Sequence, residues 1–307
     1  MEQFTEMLEV ELRESLRAYF SVPQLYEHSL ACLEDKIEES SMLLGKMAVL
    51  HYRMFGGTDT KDIYRVAAAI ELMMLSLDII DDIQDKDNGK MAWNLLPSEI
   101  ALNIGIGMLT LSGQLILSTG FPDERRLQAA ELLHKGVLTA VNGQMTDLFN
   151  DVDTEEDYIQ MVSQKSARLL VAAAMIGTVL ATGEWIEEVQ QYAEELGIAA
   201  QIKNDIRDLL NWDDKNDFLN RKKTLPTLYL LQSVSDEESW IIDYFEGRLD
   251  FADVVGRRQE VEQIIESTGT LIYTSVRMRT HYYRYLEHIE RLQLEPHWKE
   301  RMLSFAE

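Results

Sequence analysis

A run of aspartates that follows an apolar helical pattern is the first stretch whose spacing suggests chemistry. Five aspartates fall within ten residues: Asp78, Asp81, Asp82, Asp85 and Asp87. On a helix Asp81 and Asp85 are one turn apart, so their carboxylates point to the same side and repel each other when unpaired. Carboxylate oxygens are ligands for hard cations, and the pattern therefore indicates a Mg²⁺ site. A solvated acidic helix end would explain it equally well.

An EF-hand calcium loop does not explain the run. In a loop that began at Asp85, Lys90 would stand where glycine is required and Leu96 where the bidentate glutamate belongs.

A second polar cluster lies on a later helical pattern and contains Gln201, Asn204, Asp205 and Asp208. Gln201, Asp205 and Asp208 share one helical face. A polar surface stripe would look the same, but two such helices facing each other would bracket divalent ions. Because Mg²⁺ usually combines one or two carboxylates with substrate phosphates, the two clusters together predict a polyphosphate site.

Lysines near the ends of the expected helices are the candidate phosphate contacts. Lys90, Lys165 and Lys222 flank the two acidic clusters, with Arg221 or Lys223 as further candidates. Each is more simply a surface charge when taken alone. As a set they favour contacts to a diphosphate.

The apolar residues directly before Asp81, which include Ser76 and Leu77, have two interpretations. Most of them are expected to pack in the core. Some would instead line an apolar pocket below the metal site that suits a hydrocarbon tail.

Composition excludes several classes of protein. The 307 residues carry a formal net charge of −24, which disfavours binding to nucleic acid or to an anionic membrane surface. The single cysteine, Cys32, excludes an intramolecular disulfide and fits a reducing compartment. The N-terminal residues are acidic rather than signal-like, and no transmembrane segment is expected. We therefore expect a soluble, cytoplasmic protein.

Helical periodicity runs through the whole chain, and the five prolines fall between the periodic segments. No strand pattern, internal repeat or flexible linker interrupts it. The sequence predicts an all-α helical bundle formed by one domain over residues 1–307.

Five short motifs, in order, resemble those of the trans-prenyltransferases, the trans-isoprenyl diphosphate synthase superfamily. The matching stretches are Asp81–Asp85 followed by Lys90, Gly143–Asp147, Lys165–Leu169, Gln201–Asp208 with Asn204 in place of an aspartate, and Lys222–Pro226. The resemblance implies an isoprenoid-synthase fold around a central cavity, with a cluster of Mg²⁺ ions and an allylic diphosphate donor.

By that resemblance each candidate residue acquires a role. Catalysis through metal is implied for Asp81, Asp85 and Asp205, with Asp82, Asn204 and Asp208 completing the metal set. The implied substrate-binding residues are Lys90, Lys165, Lys222, Gln201, Gln144, Asp147, Ser76 and Leu77.

One departure from the family pattern concerns the acceptor. Elongating members carry a Gly-Gly-Lys-x-x-Arg-Pro stretch whose cations hold isopentenyl diphosphate, whereas this chain reads Phe55-Gly-Gly-Thr-Asp-Thr-Lys61. The pattern resembles the ComQ family, which transfers a geranyl or farnesyl group to a tryptophan of the ComX pheromone precursor peptide in bacterial competence quorum sensing. An indole acceptor is uncharged and needs no cationic cradle.

Two alternatives stay open: a chain-elongating polyprenyl diphosphate synthase, or a non-catalytic subunit of one. A homodimer is implied by the resemblance alone. The sequence does not identify the general base or the length of the prenyl chain.

Overall fold

The computed structural model describes residues 2–39, 42–85, 89–212 and 216–305, so Asp87 lies outside the described residues. All regular structure in these ranges is helical, which confirms the predicted fold class. The α-helices are α1 (Glu2–Tyr19), α2 (Pro23–Glu39), α3 (Leu43–Met54), α4 (Lys61–Asp85), α5 (Ser98–Leu117), α6 (Asp123–Phe149), α7 (Glu155–Val162), α8 (Arg168–Thr182), α9 (Glu187–Leu210), α10 (Leu225–Ser233), α11 (Trp240–Phe245), α12 (Phe251–Val254), α13 (Arg258–Ser267), α14 (Thr270–Arg291) and α15 (Pro296–Phe305). A π-helical turn, Ser163–Ala167, joins α7 to α8.

Helix α4 ends in the aspartate run and packs against α3, to which a short turn joins it. Gly56 has a φ of 90° in this turn, a conformation that glycine adopts without steric cost. The chain reverses there, and the first residues of α3 lie beside the middle of α4. The backbone N–H of Gly45 donates a 2.6 Å hydrogen bond to Glu71 at that point. Asp81 and Asp85 therefore lie at the end of α4 remote from the turn.

Neighbouring helices bury most of α4. From Ile63 to Met73 its side chains are almost all covered, and this burial of apolar surface stabilises the bundle. The side left partly open runs along Met74, Leu77 and Asp81. This face leads from the apolar interior to the aspartates.

Helices α6, α8 and α9 surround the π-helical turn, and small residues allow the close approach. A Cβ atom at Gly143 of α6 would lie 2.4 Å from the backbone nitrogen of Lys165 in the turn. On the other side, a Cβ atom at Gly197 of α9 would lie 2.6 Å from the Cα atom of Ala167. Glycine at both positions lets the turn sit between the two helices.

Two helical segments, Ser98–Leu117 and Glu155–Thr182, are long and apolar enough to cross a membrane by length and composition. The expected absence of a transmembrane segment therefore stays a prediction. Half of the first apolar window and 72% of the second are buried inside the fold. Core helices of soluble proteins pass the same test, so these two are weak evidence for a membrane span.

Candidate active site

Two lysines from distant parts of the chain contact the two aspartates at the end of α4. Lys222 Nζ donates a 2.7 Å hydrogen bond to Asp85, and Lys165 Nζ lies 3.4 Å from Asp81 Oδ1. The structure therefore brings together the first aspartate cluster and two of the three lysines predicted from the sequence. Opposite charges at these distances inside a partly buried site attract strongly.

The π-helical turn sets the position of Lys165. Such turns are rare, and they occur often at functional sites because they displace one residue from regular helical geometry. Asp147 of α6 accepts a 2.5 Å hydrogen bond from Lys165 Nζ. Burial alone would lower the pKa of Lys165, but the charges of Asp147 and Asp81 raise it above its usual value. Lys165 is therefore held protonated.

The segment before α10 sets the position of Lys222. Its backbone N–H donates to the carbonyl of Asp217, and its carbonyl accepts a 2.6 Å hydrogen bond from Thr227 Oγ1. Burial acts to lower the pKa of Lys222, but the hydrogen bond to Asp85 and the nearby carboxylates raise it. This lysine also stays charged.

Asp217 is a buried carboxyl group that the sequence analysis missed. Burial, followed by the charge of Asp205, raises the pKa of Asp217 well above its usual value, and Thr224 Oγ1 donates a 3.1 Å hydrogen bond to it. Residues in a charged loop are usually exposed to solvent, so the sequence around Asp217 does not indicate that it is buried. Only the packing of this loop under α9 identifies it as part of the site.

Asp205, on α9, is buried and fully hydrogen-bonded in this structure. Tyr158 OH donates to its Oδ2 at 2.5 Å, and Gln201 Nε2 donates to its Oδ1 at 2.8 Å. Ser166, in the π-helical turn, donates to Gln201 Oε1 at 3.0 Å and connects α9 to the turn that carries Lys165. Burial raises the pKa of Asp205 to about 6. Tyr158 belongs to a separate helix and had no motif that could reveal it.

The remaining members of the second cluster are Asn204 and Asp208, and the charge of Asp208 adds to the effect of burial in raising the pKa of Asp205. Asn204 is exposed. Asp208 is half-buried and forms a 3.0 Å ion pair with its neighbour Arg207. Of this cluster, Gln201 and Asp205 are the two residues that the structure joins to the lysine-bearing turn.

Asp82 is turned toward the loop after α4 rather than toward the lysines. Trp93 Nε1 donates a 2.8 Å hydrogen bond to Asp82 Oδ2, and both side chains are buried. Asp35 of α2 accepts a 2.6 Å hydrogen bond from the backbone N–H of Ala92 in the same loop. Lys90 is exposed on this loop, so Asp82 holds the loop that carries the third predicted lysine.

Three predicted substrate contacts occupy different surroundings. Ser76 is buried and donates a 2.8 Å hydrogen bond to the carbonyl of Gly105 on α5, so it faces a neighbouring helix. Leu77 lies on the open side of α4. Gln144 donates to Gln84 at 3.0 Å, and its own Oε1 is buried without a hydrogen bond.

Among the residues that the structure describes, no three carboxylate, imidazole or thiolate groups converge as a ready set of metal ligands. Asp81 Oδ1 is nevertheless buried and accepts no hydrogen bond, and Asp85 lies one turn away on the same side of α4. Oxygen atoms from one or two carboxylates fit Mg²⁺ when substrate phosphates supply the other ligands. The donor set therefore fits Mg²⁺ bound together with a diphosphate.

The stretch Phe55–Lys61, which the sequence analysis assigned to the acceptor site, lies in the turn before α4. Asp85 is 24 residues further along the same helix, or about 36 Å at 1.5 Å per residue. Missing cations in this stretch therefore carry no information about the site beside the aspartates. The assignment of this stretch to the acceptor site is therefore wrong.

Comparison with known proteins finds similar sequences over most of the chain. A family model described as polyprenyl synthetase matches residues 33–267. The tryptophan prenyltransferase ComQ of Bacillus subtilis (strain 168) is 31% identical over 257 residues, which cover 82% of this chain and 83% of that protein.

Solved structures share the fold. The crystal structure of a geranylgeranyl pyrophosphate synthase aligns over 98% of this chain and 97% of its own, with a TM-score of 0.84 and 21% identity. A polyprenyl synthase from Caulobacter crescentus CB15, complexed with calcium and isoprenyl diphosphate, aligns over 99% and 93% with a TM-score of 0.80 and 20% identity.

Proposed function

The chain belongs to the polyprenyl synthetase family and is a prenyltransferase, and we propose that it transfers a geranyl or farnesyl group from the diphosphate to a tryptophan of a ComX-like precursor peptide. The product would be a competence pheromone for quorum sensing, made in the cytoplasm. The observation that carries the proposal is the convergence of Lys165 and Lys222 on Asp81 and Asp85, together with the similarity to ComQ.

Lys165 and Lys222 would bind the diphosphate of the donor. Both stay protonated, and both contact a carboxylate that a phosphate oxygen can replace. Mg²⁺ held by Asp81, Asp85 and Asp205 would neutralise the charge that develops on the departing diphosphate. The carbon–oxygen bond of the donor then breaks, and the positive charges of the two lysines stabilise the diphosphate that leaves.

The open side of α4 would hold the hydrocarbon tail. Met74 and Leu77 lie along it below Asp81, and Met74 precedes Asp81 by two helical turns, or about 10 Å of helix. Apolar side chains of this kind would surround the allylic cation and keep water away from it. This supports a short prenyl donor.

The α2 side of α4 supports an acceptor without phosphate. Lys36 of α2 forms an ion pair with Asp78, which lies one turn before Asp82. Asp78 compensates the charge of this lysine and would repel a second diphosphate. An indole is neutral, and its face stabilises a nearby cation. A new carbon–carbon bond would form between the allylic carbon and the indole, and one proton would leave the ring.

We also propose a homodimer of one-domain subunits. Apolar side chains are exposed along α5 and α6, including Ile106 at 61%, Leu138 at 65% and Phe149 at 74%. Exposed apolar stripes on two adjacent helices are unusual for a monomer and suit a self-complementary interface.

The test combines purified protein, Mg²⁺, geranyl or farnesyl diphosphate, and a tryptophan-containing peptide. Mass spectrometry should detect the peptide with one added prenyl group, and a peptide with phenylalanine in place of the tryptophan should stay unmodified. Removal of Mg²⁺ by a chelator should abolish transfer.

Isopentenyl diphosphate distinguishes the alternatives. Chain elongation without peptide modification would show an elongating synthase. No turnover of either acceptor, with activity restored only by a second polypeptide, would show a non-catalytic subunit. Replacement of Asp81 and Asp85 by alanine should eliminate activity if the protein is a peptide prenyltransferase or an elongating synthase.

A further inference from the structure

At the C-terminal end of α6, one side chain forms hydrogen bonds to the segment that carries Lys222. Asn150, the residue after α6, donates from Nδ2 to the carbonyl of Arg221 at 2.8 Å. Its Oδ1 accepts a 2.9 Å hydrogen bond from the backbone N–H of Lys223. The amide therefore bonds to the residues on both sides of Lys222, as a neighbouring strand would.

The backbone around this contact is unusual. Asn150 and Arg221 have φ values of 52° and 54°, in the left-handed region that few residues other than glycine and asparagine adopt readily. Two hydrogen bonds across a chain in that conformation fix the direction of the residue between them. Lys222 then reaches Asp85 at 2.7 Å.

The same helix end also fixes the other lysine. Asp147, three residues before Asn150, contacts Lys165 at 2.5 Å. The end of α6 thus contacts Lys165 directly and Lys222 through the backbone. The spacing between the two cations depends on one rigid element.

We infer that Asn150 is a positioning residue for the donor diphosphate, because it sets the direction of Lys222 relative to Asp85 and Lys165. This inference rests on the proposed function. Asn150 does not itself touch the diphosphate. Its effect on binding passes through Lys222.

A purely structural cap is the competing explanation, and Asn150→Gly separates the two. Glycine keeps the left-handed backbone without strain but removes both side-chain hydrogen bonds. The matched control is Asp153→Asn. It removes the negative charge that pairs with the side chain of Lys223 at 2.6 Å, on the exposed side of the same segment, and leaves the Asn150 amide in place.

The probe is inorganic pyrophosphate titrated calorimetrically into the full-length protein with Mg²⁺ present. Asn150→Gly should weaken binding about tenfold, since two hydrogen bonds to the segment are lost, and Asp153→Asn should change it less than about twofold. Lys222→Met should weaken binding as well. In the Lys222→Met background, Asn150→Gly should have no further effect, because coupled residues are not additive.

Two results would overturn the inference. One is an equal effect of Asn150→Gly with and without Lys222. The other is unchanged pyrophosphate affinity in Asn150→Gly, whatever happens to its melting temperature. Absence of pyrophosphate binding in the wild-type protein would instead refute the proposed function, on which the inference depends.

Discussion

Glu71 is a carboxyl group in the buried middle of α4, and its titration should be visible in the stability of the protein. Burial raises the pKa of Glu71 to about 7 from an ordinary 4.5. The backbone N–H of Gly45 at 2.6 Å opposes this shift, as do the charges of Lys36 and Lys46, while Asp78 adds to it. In the folded protein the group is therefore neutral across much of the range in which it would be ionised in the unfolded chain.

The sign of the pH dependence follows from proton linkage. Between about pH 4.5 and pH 7 the folded state holds a proton that the unfolded state has lost, so the contribution of Glu71 to stability falls as pH rises. It is fully present below the unfolded pKa and is lost once pH passes the folded pKa. A shift of this size corresponds to about 3 kcal/mol at 1.36 kcal/mol per pKa unit.

Glu71→Gln isolates the contribution of Glu71 titration to stability, because the amide keeps the shape of the side chain and can still accept the hydrogen bond of Gly45. The free energy of unfolding should be measured by urea denaturation at fixed protein concentration, from about pH 5 to about pH 8. Relative to the variant, wild type should lose up to about 3 kcal/mol across this range. The matched control, Glu38→Gln on an exposed part of α2, should show no such pH-dependent difference.

A constant difference between wild type and Glu71→Gln across the pH range would refute this reasoning. It would mean that Glu71 has its ordinary pKa in the folded protein and that Gly45 and the two lysines balance the effect of burial. A wild type that gains stability relative to the variant as pH rises would refute it more strongly.

Three further predictions concern binding and assembly. Lys222→Met should weaken pyrophosphate binding by about tenfold or more and strengthen the binding of Mg²⁺ alone, because Asp85 loses its competing cation. Both affinities are measured by calorimetry, and a change of the two affinities in the same direction would contradict the prediction. Asp78→Asn should make isopentenyl diphosphate an inhibitor of peptide prenylation about tenfold stronger, because the change removes one negative charge beside Lys36. An unchanged inhibition constant would contradict this prediction. Leu138→Glu should shift the protein from dimer to monomer in analytical ultracentrifugation with unchanged helical circular dichroism, whereas an unaltered dimer would place the interface elsewhere.

The sequence predicted the parts of the site that share one helix. Asp81 and Asp85 follow from helical spacing, and so do Gln201 and Asp205, because i and i+4 positions lie on one face whatever the tertiary structure. The all-α class follows from the same periodicity. The sequence could not predict the role of Tyr158, because Tyr158 contacts Asp205 only when helix α7 packs against helix α9.

Two other assignments depended on structure that the motifs do not show. The glycine pair near Phe55 matched a motif in letters, but the unbroken helix from Lys61 to Asp85 places this turn far from Asp85. Ser76 directly precedes Leu77 on the open face of α4, but successive residues lie about 100° apart around a helix, and Ser76 contacts Gly105. The order of residues along the chain does not determine which groups each side chain contacts in the folded protein.

The lysine–aspartate contacts would allow so acidic a chain to bind the diphosphate that we propose as its substrate. With a net charge of −24, its overall field repels diphosphate. At the site, however, Lys222 pairs with Asp85, and Lys165 contacts both Asp147 and Asp81, so two positive charges lie at short range from the carboxylates. On the proposed function, Lys165 and Lys222 would hold the phosphate oxygens, and Asp81 and Asp85 would hold the metal. Either ligand alone would leave some of these charges unmatched, so binding of one would strengthen binding of the other by the same factor.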